Sequence, residues 1–138
     1  MRSRILMGAA AIALVALPTA AFAGGKGSSG GNSLSLVVLG QTGGTTTTTS
    51  PTFGAQVTFD VTTGISRPYV LNECFKGGTR VYAEVHGFFS GALFGTTYTL
   101  GPTDQWTGGD AECTASLVDY SKGKGGKVLA TIGYHVNG

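Results

Sequence analysis

The sequence predicts an all-β fold, an immunoglobulin-like antiparallel β-sandwich of about seven strands. Three observations carry this expectation. Short apolar segments with period-2 alternation recur along the chain, as in Gln56–Thr62 (QVTFDVT). Gly-rich turn signals separate them at roughly ten-residue intervals, the spacing of small sandwiches. Beyond an N-terminal apolar run, no long segment shows apolar spacing at the helical period of 3.6.

Residues 1–23 read as a secretory signal peptide. Arg2 and Arg4 precede an uncharged apolar run, Ile5 to Leu17, which Pro18 ends, and Ala21-Phe22-Ala23 supplies small residues for cleavage near Ala23. The run is 13 residues long, too short to span ~30 Å of hydrocarbon as a helix. Removing 23 of 138 residues leaves 115, and the loss of Arg2 and Arg4 lowers nine Lys+Arg to seven, against seven Asp+Glu. The formal charge of +2 therefore belongs to the leader. A mature chain of zero net charge has no electrostatic footprint for nucleic acid, and without a second apolar run it has no membrane span. Abundant but irregular Gly excludes a collagen helix. A hydrophobic content of 41% supports a packed core and excludes wholesale disorder.

Residues 24–32 (GGKGSSGGN) read as a flexible Gly/Ser tail, and residues 33–138 as one sandwich domain. The first strand is expected at Ser33–Leu39. Gln41 to Pro51 follows as a low-complexity loop; its run of Thr has an O-glycosylated stalk as the alternative to an exposed loop. Val57, Phe59 and Val61 alternate with Thr58 and Asp60 in the next strand. Tyr69–Phe75 and Arg80–Val85, joined by Lys76-Gly77-Gly78, read as a hairpin. Thr97–Leu100 is a further strand. Ala111–Tyr120 places Ala111, Cys113, Ala115 and Leu117 on one face. Ser121–Lys127 is a turn, and Val128–Val136 closes the domain with Val128, Ala130, Ile132, Tyr134 and Val136 on a common face. In immunoglobulin lettering these strands are A, B, C, C′, E, F and G.

Cys74 and Cys113 are the only cysteines. Export to an oxidising compartment makes a disulfide between them the default. On the lettering above it joins C to F, neighbours within one sheet. A catalytic Cys is disfavoured because nothing ties His86 or His135 to either sulfur, and a metal site needs more ligands at recognisable spacing.

The segment Trp106–Leu117 (WTGGDAECTASL) resembles the approach to strand F of immunoglobulin-like domains, with Cys113 where the corner Tyr usually stands. The mature chain as a whole resembles small secreted actinobacterial-type proteins without assigned function. The residues that carry this are a strand motif at Phe53–Val61, a Cys-aromatic hairpin at Cys74–Phe89, a Trp corner at Trp106–Ala115 and a closing strand at Val128–Val136. That resemblance implies secretion and a fold, with no activity attached. Chromoprotein-antibiotic carriers of the neocarzinostatin type are similar in size and architecture, which implies a hydrophobic ligand held in a cleft as one alternative.

Enzyme constellations are missing. Asp104 and Asp110 sit in turn contexts where Asp bonds its own backbone, and Glu112 is expected to point outward. No G-x-S-x-G elbow occurs, and Gly123–Gly126 leads into a strand, so it lacks the helix start of a phosphate loop. His86 and His135 are both expected opposite the main apolar face of their strands; no metal site and no cofactor are predicted. Binding candidates fall in two groups. Lys122, Lys124 and Lys127 occupy the loop before the last strand, suited to an anionic partner such as a wall polymer. Phe88, Phe89, Phe94 and Tyr98 cluster among Gly and Ser, and consecutive Phe88 and Phe89 cannot both face the core of a regular strand. The expected function is that of a secreted, non-catalytic immunoglobulin-like module acting in extracellular binding or structure. The alternatives are a carrier of a small hydrophobic ligand and a secreted enzyme inhibitor. Its partner would be an extracellular protein, a wall polymer or that ligand.

Overall fold

A computed structural model describes residues 27–40 and 50–138. Residues 1–23, read above as a signal peptide, and the Thr run lie outside the described residues. Eight strands form among them: β1 (Gly27–Ser29), β2 (Asn32–Val38), β3 (Gln56–Thr62), β4 (Tyr69–Lys76), β5 (Thr79–Gly87), β6 (Tyr98–Thr99), β7 (Ala111–Asp119) and β8 (Lys127–Val136). They make two four-stranded antiparallel sheets, in the orders β1-β2-β3-β6 and β5-β4-β7-β8, packed as a β-sandwich. The second order is the C′-C-F-G succession that the sequence lettering requires. The extra strand is β1. Residues read as tail instead pair with β2 through a Gly30-Gly31 turn, whose positive φ values of 55° and 81° suit glycine.

Alternation fixes which side chains meet between the sheets. Leu34, Val57 and Phe59 come from one sheet; Val70, Cys74, Ala111, Cys113, Ala115, Leu117, Ile132, Tyr134 and Val136 come from the other. Each buried side chain of this size contributes about 1.5–3 kcal/mol relative to exposure. A polar seam runs through the layer. Tyr98 donates from its hydroxyl to the Val70 carbonyl (2.6 Å), and Tyr134 donates to Oδ1 of fully buried Asn72 (2.8 Å). Burial pushes both phenols above their ordinary range.

Two bulges overturn two expectations. Between Cys74 and Phe75 the register slips, so that Cys74 opposes Tyr82 and Phe75 opposes Arg80, with Val81 as the extra residue. From there onward the even residues of β5 face inward. Tyr82, Glu84 and His86 lie opposite Cys74, Asn72 and Val70 on the inner face, Tyr82 buried, His86 half-buried and Glu84 still exposed at this sheet edge, while Ala83 and Val85 are exposed on the other face. His86 is thus not on the face opposite the apolar set. In β8, the shift at Leu117/Val118 pairs Leu117 with Ala130 and Val118 with Val128. Val128 is displaced from the common inner face and is 57% exposed. His135, by contrast, does face outward, as expected.

The strand directions define two ends. One gathers the connections 63–68, 88–97 and 120–126 and the Gly30-Gly31 turn; it is called the loop end below. The other gathers the Gly77-Gly78 turn and residues 100–110. There Thr52 bridges to Asn137 in parallel fashion, with Phe53 donating to Asn137 O and Asn137 to Pro51 O, which ties the chain before β3 to the end of β8.

At this second end His135 is clamped between two carboxylates. Its Nδ1 lies 2.5 Å from Glu112 Oε1 and its Nε2 3.2 Å from Asp110 Oδ2, while Asp110 Oδ1 accepts the Gly138 N–H. The Glu112 hydrogen bond, then the charges of Glu112 and Asp110, hold the imidazole above its ordinary value. The Gly138 N–H, followed by His135, holds Asp110 below the usual carboxylate range. A raised histidine stabilises the fold fully below its unfolded value and ceases to as pH rises through the folded one; a lowered carboxyl ceases to as pH falls. Melting temperature should therefore decline as pH rises past about 6.5, the ordinary imidazole value, and His135→Gln should abolish that slope. An equal slope in the variant would exclude the clamp as its origin.

Candidate functional site: the aromatic and cationic loop end

The aromatic segment from His86 to Tyr98 does not form one patch. It crosses from β5 to β6, and the crossing sorts its rings. Tyr98 is fully buried and belongs to the core, with its ring stacked on His86 at 4.3 Å between centroids. Phe88 turns inward and stacks against Tyr98 at 6.5 Å. Phe89 turns outward, as consecutive residues must. Phe94 is 68% exposed and also stacks on His86, at 6.1 Å between centroids. Of the four candidates, Phe89 and Phe94 remain available to a partner.

Phe89 sits in a cluster that spans three loops. Tyr69, at the start of β4, meets Phe89 edge-to-face at 5.3 Å and Tyr120, just beyond β7, in the same manner at 5.3 Å. The Arg67 guanidinium stands 4.9 Å over the Phe89 ring, a cation–π contact. Two glycines make the packing possible. A Cβ on Gly87 would lie 2.5 Å from Cε1 of Phe89. A Cβ on Gly126, whose φ is +68°, would lie 2.5 Å from Val118 Cγ1 and 2.8 Å from Tyr120 Cδ1.

The lysines stand beside this cluster. Asp119 caps a single 3-10 turn, Tyr120–Lys122, by accepting from the backbone N–H and the hydroxyl of Ser121 (2.9 and 2.6 Å). Those bonds, the hydroxyl's first, hold its carboxyl below the usual range. The turn projects Lys122, Lys124 and Lys127 into solvent. With Arg67 they place four cations at the loop end. Of the three carboxylates in this half of the strands, Asp119 is engaged by Ser121, Asp60 points outward from the first sheet, and Glu84 lies beside Tyr82 and His86. The opposite half carries Glu73, Asp104, Asp110 and Glu112 against Lys76 and Arg80. Charge is thus unevenly distributed along the sandwich.

The chain matches no protein-family model, no curated protein and no solved structure.

A cleft of about 360 Å³ lies away from the loop end, lined by Arg80–Glu84 and Thr103–Gln105, and by none of the four aromatic candidates. Beside it, Tyr82 donates to Glu84 Oε2 (3.0 Å), and His86 Nε2 lies 3.4 Å from the same oxygen. Among the described residues, no three His, Cys, Asp or Glu side chains are grouped to hold a metal ion. Sequence reading named Phe89 and the lysines as candidates but did not name Arg67, Tyr69, Tyr120 or Leu93. The first three occupy strand ends that the C, C′ and F lettering already assigns to one end of the sandwich, which is the signal that would have joined them.

Proposed function

We propose that this protein is a secreted, non-catalytic β-sandwich module that binds an anionic extracellular partner through its loop end. The observation that carries the reading is the convergence of Arg67, Lys122, Lys124 and Lys127 on the Tyr69–Phe89–Tyr120 cluster, where three loops meet. Aromatic rings present flat, low-entropy contact area, and cations beside them supply attraction and orientation. Export is supported by the leader read at residues 1–23 and by the Cys74–Cys113 disulfide, which suits an oxidising compartment. No helix among the described residues is long and apolar enough to cross a membrane.

A sulfated-polysaccharide resin tests the reading. The exported protein should be retained at low ionic strength and released as salt rises, because the attraction is between exposed charges. Replacing Lys122, Lys124 and Lys127 with Gln should weaken retention by roughly ten- to a hundredfold, with each surface charge contributing up to ~1 kcal/mol. Melting temperature should stay within a few degrees, since these side chains are exposed. Unchanged elution of the triple variant would refute the assignment.

A further inference from the structure

We infer that the loop end docks on an anionic lipid bilayer, with Leu93 and Phe94 as the inserting tip and the four cations as headgroup contacts. This rests on the reading of the loop end as the binding end and names its partner.

The tip is the least economical part of the surface. Leu93 is 94% exposed and Phe94 68% exposed, adjacent in one loop. Single exposed apolar residues need no explanation, but two large consecutive ones in the 88–97 connection present one apolar wedge. The wedge is held in place: Ala92 N–H bonds to Phe89 O (3.2 Å), the space beside Gly87 is filled by Phe89 and Ala92, and Phe94 rests on His86. The loop therefore projects Leu93 from a fixed base, and neither residue has a place in the core.

The surroundings of the tip select its partner. The same loop begins at Phe89, which carries Arg67 on its face and leads through Tyr69 to Tyr120 and the lysine turn. Durable attachment to a bilayer takes two signals, of which an apolar insertion and a basic patch are one pair. Cations near an anionic leaflet are drawn to it over about a Debye length. The acidic opposite end adds a torque that turns the loop end toward a negative surface. A soluble polyanion would satisfy the cations and leave Leu93 and Phe94 in water; a bilayer satisfies both.

Co-sedimentation with vesicles decides the matter. Exported protein, residues 24–138, should sediment with mixed phosphatidylglycerol–phosphatidylcholine vesicles and stay in solution with phosphatidylcholine alone. Leu93→Ser combined with Phe94→Ser leaves every charge in place and should lower vesicle affinity by on the order of ten- to a hundredfold. It should leave the melting curve and the resin elution unchanged. Lys122→Gln, Lys124→Gln and Lys127→Gln together should weaken both assays. Full vesicle binding by the double serine variant would overturn the inference. So would failure to bind mixed vesicles while resin retention persists, in which case the partner is a soluble polyanion and the proposed function stands. Loss of binding in both assays would overturn both readings.

Discussion

Replacing Cys74 and Cys113 together with Ala is expected to cost about 3.9 kcal/mol of folding stability, on a chain-entropy account of closing their 39-residue separation. The two cysteines lie directly opposite one another on β4 and β7, the central strands of their sheet, and are 0% and 2% exposed. The link thus joins two halves of the chain that the hydrogen-bond ladder already aligns. Its main effect is on the unfolded ensemble, where β4 and β7 are otherwise free to diffuse apart. A total stability of ~5–15 kcal/mol is typical, so the loss removes a large fraction of what is available. Ala is the better replacement because Ser would bury two hydroxyls between the sheets. Urea unfolding of the native protein and the double variant, compared without reductant, measures the difference. The native protein unfolded and refolded in reductant should follow the variant's curve. A difference below about 1 kcal/mol would mean that the unfolded chain already holds these strands near one another.

That the bridge joins neighbours in one sheet was legible from the sequence because the turn signals around it are strong. Lys76-Gly77-Gly78 pairs β4 with β5, and both glycines adopt positive φ, 54° and 80°. β3 was legible to its boundaries because Val57, Phe59 and Val61 alternate without interruption. Elsewhere the alternation rule failed for a definite reason. A bulge inserts one residue and inverts the facing of all that follow, and nothing in R-V-Y-A-E-V marks Val81 as the insertion. Val81, Ala83 and Val85 look like the inner set, yet only Val81, at the bulge, is buried, and Tyr82 and His86 take the inner face beyond it. Leu129 does the same to Val128. The loop end was half legible. Lys122, Lys124 and Lys127 announce themselves as a charged Gly loop. Tyr69 and Tyr120 look like ordinary strand residues until the sheet order brings their strand ends side by side. The Gly/Ser stretch misled in the other direction, since its composition favours a flexible tail while Gly27–Ser29 find pairing partners in Ser33, Leu34 and Asn32.

Trp106→Ala should be among the most damaging single substitutions, at about 3–5 kcal/mol. The indole is fully buried at the end opposite the loops, edge-to-face with Phe53 at 5.1 Å and near Tyr82 at 6.4 Å. Its position is set by a turn that satisfies itself: Thr103 and Trp106 exchange backbone hydrogen bonds, Thr103 Oγ1 donates to Val81 O, and the indole Nε1 donates to Gly109 O (3.0 Å). Ala would leave a void between the two sheets that Phe53 and Tyr82 cannot fill, because each is anchored to its own strand or bridge. The melting temperature should fall by roughly 15–30 °C, at about 4–8 °C per kcal/mol for a domain of this size. Trp106→Phe separates the two contributions. It keeps most of the volume and removes the N–H, so its loss should be limited to the unpaired Gly109 carbonyl and a small gap, about 1–3 kcal/mol. As the single tryptophan, Trp106 also reports on its own site in the native protein, with emission shifting to longer wavelength as the end of the sandwich opens. If the alanine variant melted within a few degrees of the native protein, the two sheets would have to close over the vacated space, and the Trp corner would be a filler where it is now placed as the plug of the fold.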